Sequence, residues 1–190
     1  MKKIVILLLV VFVVVATVSF GASAKDLSGR FGIGYQTEER PPLLVFSSEG
    51  ISGRFWFNPT LAVQATASYA SIQFSNGGTN TFSGTLYALK VLYKIIDRLN
   101  YHVYIGAGIN GHNYSSSSYL GTPETSLSGT GYEALMGVEW FFSGVPDLGF
   151  SLEWGWDSVT LTPSEDGGTT TLSATPLRFA AHYYFGKRKR

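Results

Sequence analysis

Tyr101-His102-Val103-Tyr104-Ile105-Gly106-Ala107-Gly108-Ile109-Asn110 alternates without a break: Tyr101, Val103, Ile105, Ala107 and Ile109 form one apolar face, and His102, Tyr104, Gly106, Gly108 and Asn110 form the other. Successive side chains of an extended strand point to opposite faces, so a period of two predicts a strand where a helix would repeat every 3.6 residues. The glycines decide which face is inside. A solvated polar face has no need of Gly106 and Gly108, whereas the interior of a closed eight-stranded barrel is only just wide enough for its side chains and requires small ones. The polar face is therefore read as the inside, and the apolar face as lipid-facing.

The pattern recurs along the chain. Phe31, Ile33 and Tyr35 alternate with Arg30, Gly32, Gly34 and Gln36; Ile51, Phe55 and Phe57 alternate with Ser52, Arg54 and Trp56. Leu61, Val63, Ala65, Ala67 and Tyr69 oppose Gln64, Thr66 and Ser68, after which the phase slips at Ala70 to Ile72 and Phe74, predicting a bulge or the start of a loop. Tyr87, Leu89, Val91 and Tyr93 oppose Ala88, Lys90 and Lys94. Further on, Ala134 to Phe142 set Met136, Val138 and Trp140 against Leu135, Gly137, Glu139 and Phe141, with Glu133 on the polar side. Leu148, Phe150, Leu152, Trp154 and Trp156 face away from Gly149, Ser151, Glu153, Gly155 and Asp157, and Leu177, Phe179, Ala181, Tyr183 and Phe185 from Arg178, Ala180, His182 and Tyr184. The prediction is an all-β protein, an eight-stranded antiparallel up-and-down transmembrane β-barrel.

Aromatic residues collect at the ends of the apolar face. Phe57, Tyr93, Tyr101, Trp140, Phe142, Tyr183 and Phe185 fall at one rim, and Tyr35, Tyr69, Tyr87 and Trp156 towards the other, as the girdles of such barrels do. Connections alternate as well. Those at 58–60, 96–100 and 143–147 are short, while 37–50, 75–81, 111–131 and 163–171 are long and polar. Short periplasmic turns and long external loops are the expected asymmetry.

Composition is consistent with this. Of 190 residues only 14% are charged, against about 25% in ordinary globular chains, 15% are aromatic and 22 are glycine. A formal charge of +1 supplies no cationic field for nucleic acid. It is also a composite, since Lys2, Lys3 and Lys187 to Arg190 take six of the 14 basic residues and leave eight against 13 acidic ones between 25 and 186. The absence of cysteine removes disulfides, thiolate metal sites, cysteine nucleophiles and lipid-anchoring cysteines. Met1-Lys2-Lys3, the apolar run Ile4 to Val15 with its weaker extension to Phe20, and Gly21-Ala22-Ser23-Ala24 have the three regions of a secretory signal peptide. The predicted organisation is a leader over 1–24 cleaved after Ala24, a barrel over 25–186 and a basic tail over 187–190.

The turn Arg54-Phe55-Trp56-Phe57-Asn58-Pro59, the strand Tyr104-Ile105-Gly106-Ala107-Gly108-Ile109, the segment Gly137-Val138-Glu139-Trp140-Phe141-Phe142 and the ending Tyr183-Tyr184-Phe185 resemble the small eight-stranded outer-membrane barrel families. That group holds the OmpA transmembrane domain, OmpW and the opacity-type porin-family proteins. The resemblance implies the outer membrane of a Gram-negative-type bacterium, outer-membrane lipid as surroundings, and a terminal strand read by the barrel-assembly machinery through Phe179, Ala181, Tyr183 and Phe185. Members usually end on the aromatic residue, whereas this chain continues Gly186-Lys187-Arg188-Lys189-Arg190.

Inward ionisable residues are the candidates for chemistry. Arg54, Glu139, Glu153, Lys90 and Arg178 fall at similar depth when about 3.3 Å per residue is counted from the short turns, with Arg30 nearby, and Glu133 and Asp157 share their faces. Unpaired charges in so narrow a lumen are costly, so a mutually paired network is predicted, read as a plug rather than a gate. His112, Ser115 and Glu124 are the external set for a serine mechanism, the first two in a stretch from Gly111 to Tyr119 that reads as a flexible loop. The lipid A deacylase pattern of small barrels pairs histidine and serine two residues apart, and here position 114 is tyrosine. His102 and His182 point inward near the short-turn end, as core residues without nearby carboxylates rather than a metal pair. The expectation is a monomer with neither enzymatic activity nor cofactor, structural or surface-interacting, its loops offered to an unidentified external ligand. An OmpW-like channel for small apolar solutes, lined by Trp56, Tyr104, Leu135 and Phe141, is the alternative, and a lipid A-modifying barrel enzyme is the second.

Overall fold

The structure, a computed structural model, describes residues 26–39, 47–75, 79–118, 125–163 and 168–186. The leader at 1–24, the tail at 187–190 and Glu124 lie outside them. Strands follow one another as β1 (Phe31–Glu39), β2 (Ser47–Trp56), β3 (Leu61–Ser75), β4 (Thr79–Asp97), β5 (Tyr101–Ser118), β6 (Thr125–Phe142), β7 (Val145–Pro163), β8 (Thr170–Ala174) and β9 (Leu177–Phe185). Each of β1 to β7 pairs antiparallel with the next, and β9 pairs with both β1 and β7, so the sheet closes on itself. β7 meets β9 from Leu148 to Trp154 and β8 from Asp157 to Leu161. The two short strands are thus one stave, interrupted where Pro176 has no N–H for a ladder, although its carbonyl still accepts from Gly155 at 3.2 Å. Nine segments make an eight-stave barrel.

Within the belt each stave is paired on both sides around the closed ring, which is what permits a sheet to stand in hydrocarbon. The side chains sort accordingly. Ile51, Val91, Ile109, Met136 and Trp154 are half exposed or more on the outside, whereas Arg54, Gln64, Lys90, Glu139 and His182 are fully or almost fully buried inside. From Tyr132 to Phe142 the outward face of β6 is apolar; ten residues of strand at about 3.4 Å each, tilted by about 40°, make a belt roughly 25 Å tall.

The short turns are built locally. At the β2–β3 turn the Asn58 side-chain oxygen accepts from the amides of Thr60 (2.9 Å) and Leu61 (2.8 Å), and Phe57 N–H donates to the Leu61 carbonyl at 2.9 Å. Ahead of β1, Gly29 takes φ +73°, open only to glycine without strain, and turns Leu27 into the lumen, where none of it is exposed.

Three expectations are corrected. The β3–β4 register runs unbroken from Leu61↔Tyr93 to Ser75↔Thr79, so there is no bulge or loop at Ala70; a shift occurs instead at Lys94/Ile96 against β5, where Ile95 and Ile96 both face outward. The longest of the polar connections, 111–131, is mostly strand: β5 continues through Ser118 and β6 starts at Thr125. Lastly, β1 extends to Glu39 and carries Glu38 into the lumen.

Candidate functional site

The lumen is filled in tiers. Nearest the short turns lies an apolar floor of Leu27, Trp56, Ala62, Leu92, Tyr104, Leu135, Phe141 and Tyr184, all buried and in one cluster. The Lys94 ammonium sits 4.7 Å over the Trp56 ring and pairs with Asp97 at 3.2 Å. Where the floor meets β1, Arg30 donates to Asp147 at 2.8 Å and to the Tyr184 carbonyl at 2.5 Å. Arg30 therefore braces the short-turn end and is not part of the central cluster expected for it.

Above the floor, Arg54 forms ion pairs with Glu139 (3.0 Å) and Glu153 (2.8 Å), and Lys90 reaches the other oxygen of Glu153 at 3.1 Å. Arg54 also donates to Gln64 Oε1 at 2.8 Å from Nε, and Gln64 in turn donates to Gln36 at 3.1 Å. Tyr104 and Tyr184 donate to the carboxylates, at 2.8 Å to Glu153 and 2.8 Å to Glu139. Two cations face two anions; the two phenols donate to the carboxylates, and the Gln64 amide oxygen accepts from Arg54. That is the condition under which a buried charge cluster is tolerable.

Arg178 lies one tier higher and binds Glu38 (2.9 Å) and Glu133 (2.7 Å) rather than the Glu139–Glu153 pair. The charges above the floor are thus arranged in a central and an upper cluster. Asp157, register partner of Glu133, is buried beside this upper group. Glu38 is a member that the strand pattern left in a loop, and Gln64, Tyr104 and Tyr184, read as inward, join the charges as hydrogen-bond partners. Parity locates Glu38, which continues the inward series Gly32, Gly34 and Gln36.

The glycines make room for these groups. A Cβ on Gly137 would lie 2.5 Å from the Tyr104 ring, on Gly32 2.8 Å from Tyr184, and on Gly149 2.6 Å from Glu139. Inward polarity, a closed eight-stave ring and outward aromatic rims together define a membrane barrel. Among solved structures, Neisserial surface protein A, NspA, superposes with a TM-score of 0.58 at 15% identity, covering 83% of this chain and 98% of that one. OprG from Pseudomonas aeruginosa gives 0.58 at 12%, covering 87% and 99%, and the N-terminal β-barrel domain of Pseudomonas aeruginosa OprF 0.55 at 11%, covering 83% and 98%. The fold is that of the small outer-membrane barrels. No protein-family model matches the sequence, and no curated protein does.

In this outer-membrane barrel fold His102 and His182 point inward as buried core residues, as expected, but not without a carboxylate. His102 lies 2.9 Å from Glu139, and His182 Nδ1 lies 3.8 Å from the same carboxylate, so a carboxylate does stand between them; Arg54 shares it, which disfavours a cation there. His112 belongs to β5, not to a loop: it is fully buried, with Nδ1 2.8 Å from the Tyr114 hydroxyl. Ser115 is exposed on the outer face, 3.0 Å from Ser83 Oγ. His112 and Ser115 therefore point to opposite sides of the sheet.

Ser52 Oγ lies 2.7 Å from His182 Nε2, giving the order serine, histidine, acid. A working triad also needs a hydrogen bond from histidine to acid and space for a carbonyl beside the serine. The 3.8 Å gap to Glu139 is not a hydrogen bond, and Ser52 is buried among packed side chains. The void bordered by Gln36, Glu38, Lys90, Asn110, His112 and Arg178 measures about 10 Å³, the space of about one water molecule.

Proposed function

We propose that the protein is an integral outer-membrane barrel with a closed lumen and a structural or surface-presenting role, not a channel or an enzyme. The observation that carries this is the double closure: the Arg54–Glu139–Glu153–Lys90 cluster stands directly on the floor of Trp56, Phe141, Tyr184 and Leu27. The residues that an apolar-solute path would use, Trp56, Tyr104, Leu135 and Phe141, pack against one another in that floor.

In this reading the short turns and both ends of the barrel domain face the periplasm, and the four longer connections face outward as the surface offered to a ligand. The outward side chains Phe179, Ala181, Tyr183 and Phe185 of β9 are the assembly signal, a role supported by the exposure of the three aromatic rings on that strand. Purified protein in proteoliposomes tests the closure. Swelling in isotonic small sugars or amino acids should match that of protein-free liposomes; swelling dependent on the protein would refute it.

A further inference from the structure

One outward position of β5 has no side chain. A Cβ on Gly111 would lie 2.1 Å from the ring of Tyr87, its neighbour on β4, so that ring lies across the glycine. The outer faces of β4, β5 and β6 form successive rows here: Leu89–Ile109–Tyr132, then Tyr87–Gly111–Thr130, Thr85–Asn113–Ser128 and Ser83–Ser115–Ser126. Two depressions follow these rows. The lower, of about 480 Å³, is bordered by Ala65, Leu89, Ile109, Tyr87 and Tyr132; the upper, of about 370 Å³, by Tyr69, Thr85, Asn113, Ser115, Ser126 and Ser128. Rows of one sheet face lie about 6.8 Å apart, so the two are consecutive parts of one furrow.

We propose that this furrow holds one molecule of an outer-leaflet glycolipid, with an acyl chain in the lower part and a sugar in the upper. The inference rests on reading the chain as an outer-membrane barrel with its long connections outward. The lower part is continuous with the apolar belt, so lipid is what covers it. Tyr87 and Tyr132 mark the level of the lipid headgroups. Immediately above them the outward side chains of β4, β5 and β6, Thr85, Asn113 and Ser128 and then Ser83, Ser115 and Ser126, are hydroxyl and amide, which donate and accept as sugar hydroxyls do. Among the described residues no lysine or arginine borders the upper part, and a phosphate headgroup is recognised through such cations. The sugar, not the phosphate, is therefore the group selected.

Native mass spectrometry of the full chain in detergent micelles tests this with three probes: lipid A, enzymatically dephosphorylated lipid A and phosphatidylethanolamine. Both lipid A forms should be retained at one per protein, and phosphatidylethanolamine about tenfold less. Asn113→Ala with Ser128→Ala should lower retention about tenfold, the loss of one or two hydrogen bonds. Ser115→Ala with Ser126→Ala provides a second pair, and Thr160→Ala, on the same outer surface but outside the furrow, should change nothing. Folding of each variant is checked by heat-modifiable migration. Equal retention of the phospholipid, loss of binding on dephosphorylation, indifference to both double substitutions or no retained lipid would each overturn the proposal, and none of them bears on whether the lumen conducts.

Discussion

Arg54 and Glu139 form an ion pair of 3.0 Å with neither side chain exposed to solvent. They stand on β2 and β6, four staves apart in a ring of eight, so the pair spans the lumen. The barrel is braced across its interior as well as around its wall. Removing Arg54 leaves two carboxylates facing one lysine. Arg54→Ala should therefore destabilise the barrel by about 3–5 kcal/mol, measured by urea unfolding in lipid vesicles. Pairing Arg54→Met with Glu139→Gln should cost clearly less than the sum of the single changes, and additivity would contradict the geometry.

Interior space makes a second prediction. Gly137→Ala places a methyl group 2.5 Å from the Tyr104 ring inside the lumen and should cost about 1–3 kcal/mol. At Gly53, on the outer face, the nearest atom is an exposed Phe31 ring carbon at 3.3 Å, so Gly53→Ala should stay within about 0.5 kcal/mol of wild type. Equal penalties in the same unfolding assay would argue against the assigned inside and outside.

The outer belt predicts a depth dependence. Ile105→Arg, in mid-belt on β5, should cost about 2–4 kcal/mol in vesicles, and Thr160→Arg, above the upper rim on β7, no more than about 1 kcal/mol. The reverse order would place the hydrocarbon elsewhere on the barrel.

The floor and the charge tier close the lumen independently. Trp56→Ala should lower stability by about 3–5 kcal/mol through its cavity, yet leave solute uptake by proteoliposomes unchanged, because the Arg54 cluster remains. Uptake by this single variant would show that the charge tier is not a barrier.

The eight-stave fold was legible because, within the belt, apolar and polar residues alternate with strong contrast, as at Tyr101 to Asn110. Above the belt that contrast fades. Serine, threonine and asparagine occur on both faces there, so β5 beyond Gly111 reads like a loop although it is paired through Ser118. Misplacing His112 follows from this, as does losing Glu38 to a supposed loop. Parity identified which charges face inward, but not which of them meet: Arg178 pairs upward with Glu38 and Glu133, and Arg30 downward with Asp147. Those choices depend on side-chain reach and barrel stagger, which a strand pattern does not carry. Leu27 was invisible for another reason, since it is set by the backbone turn at Gly29 rather than by any period.

Closure of the lumen is the central claim, and single-channel recording in planar bilayers tests it most directly. Purified, refolded wild-type protein should show no discrete openings at moderate voltage. Discrete openings in the wild type, altered by Glu139→Ala, would contradict the account.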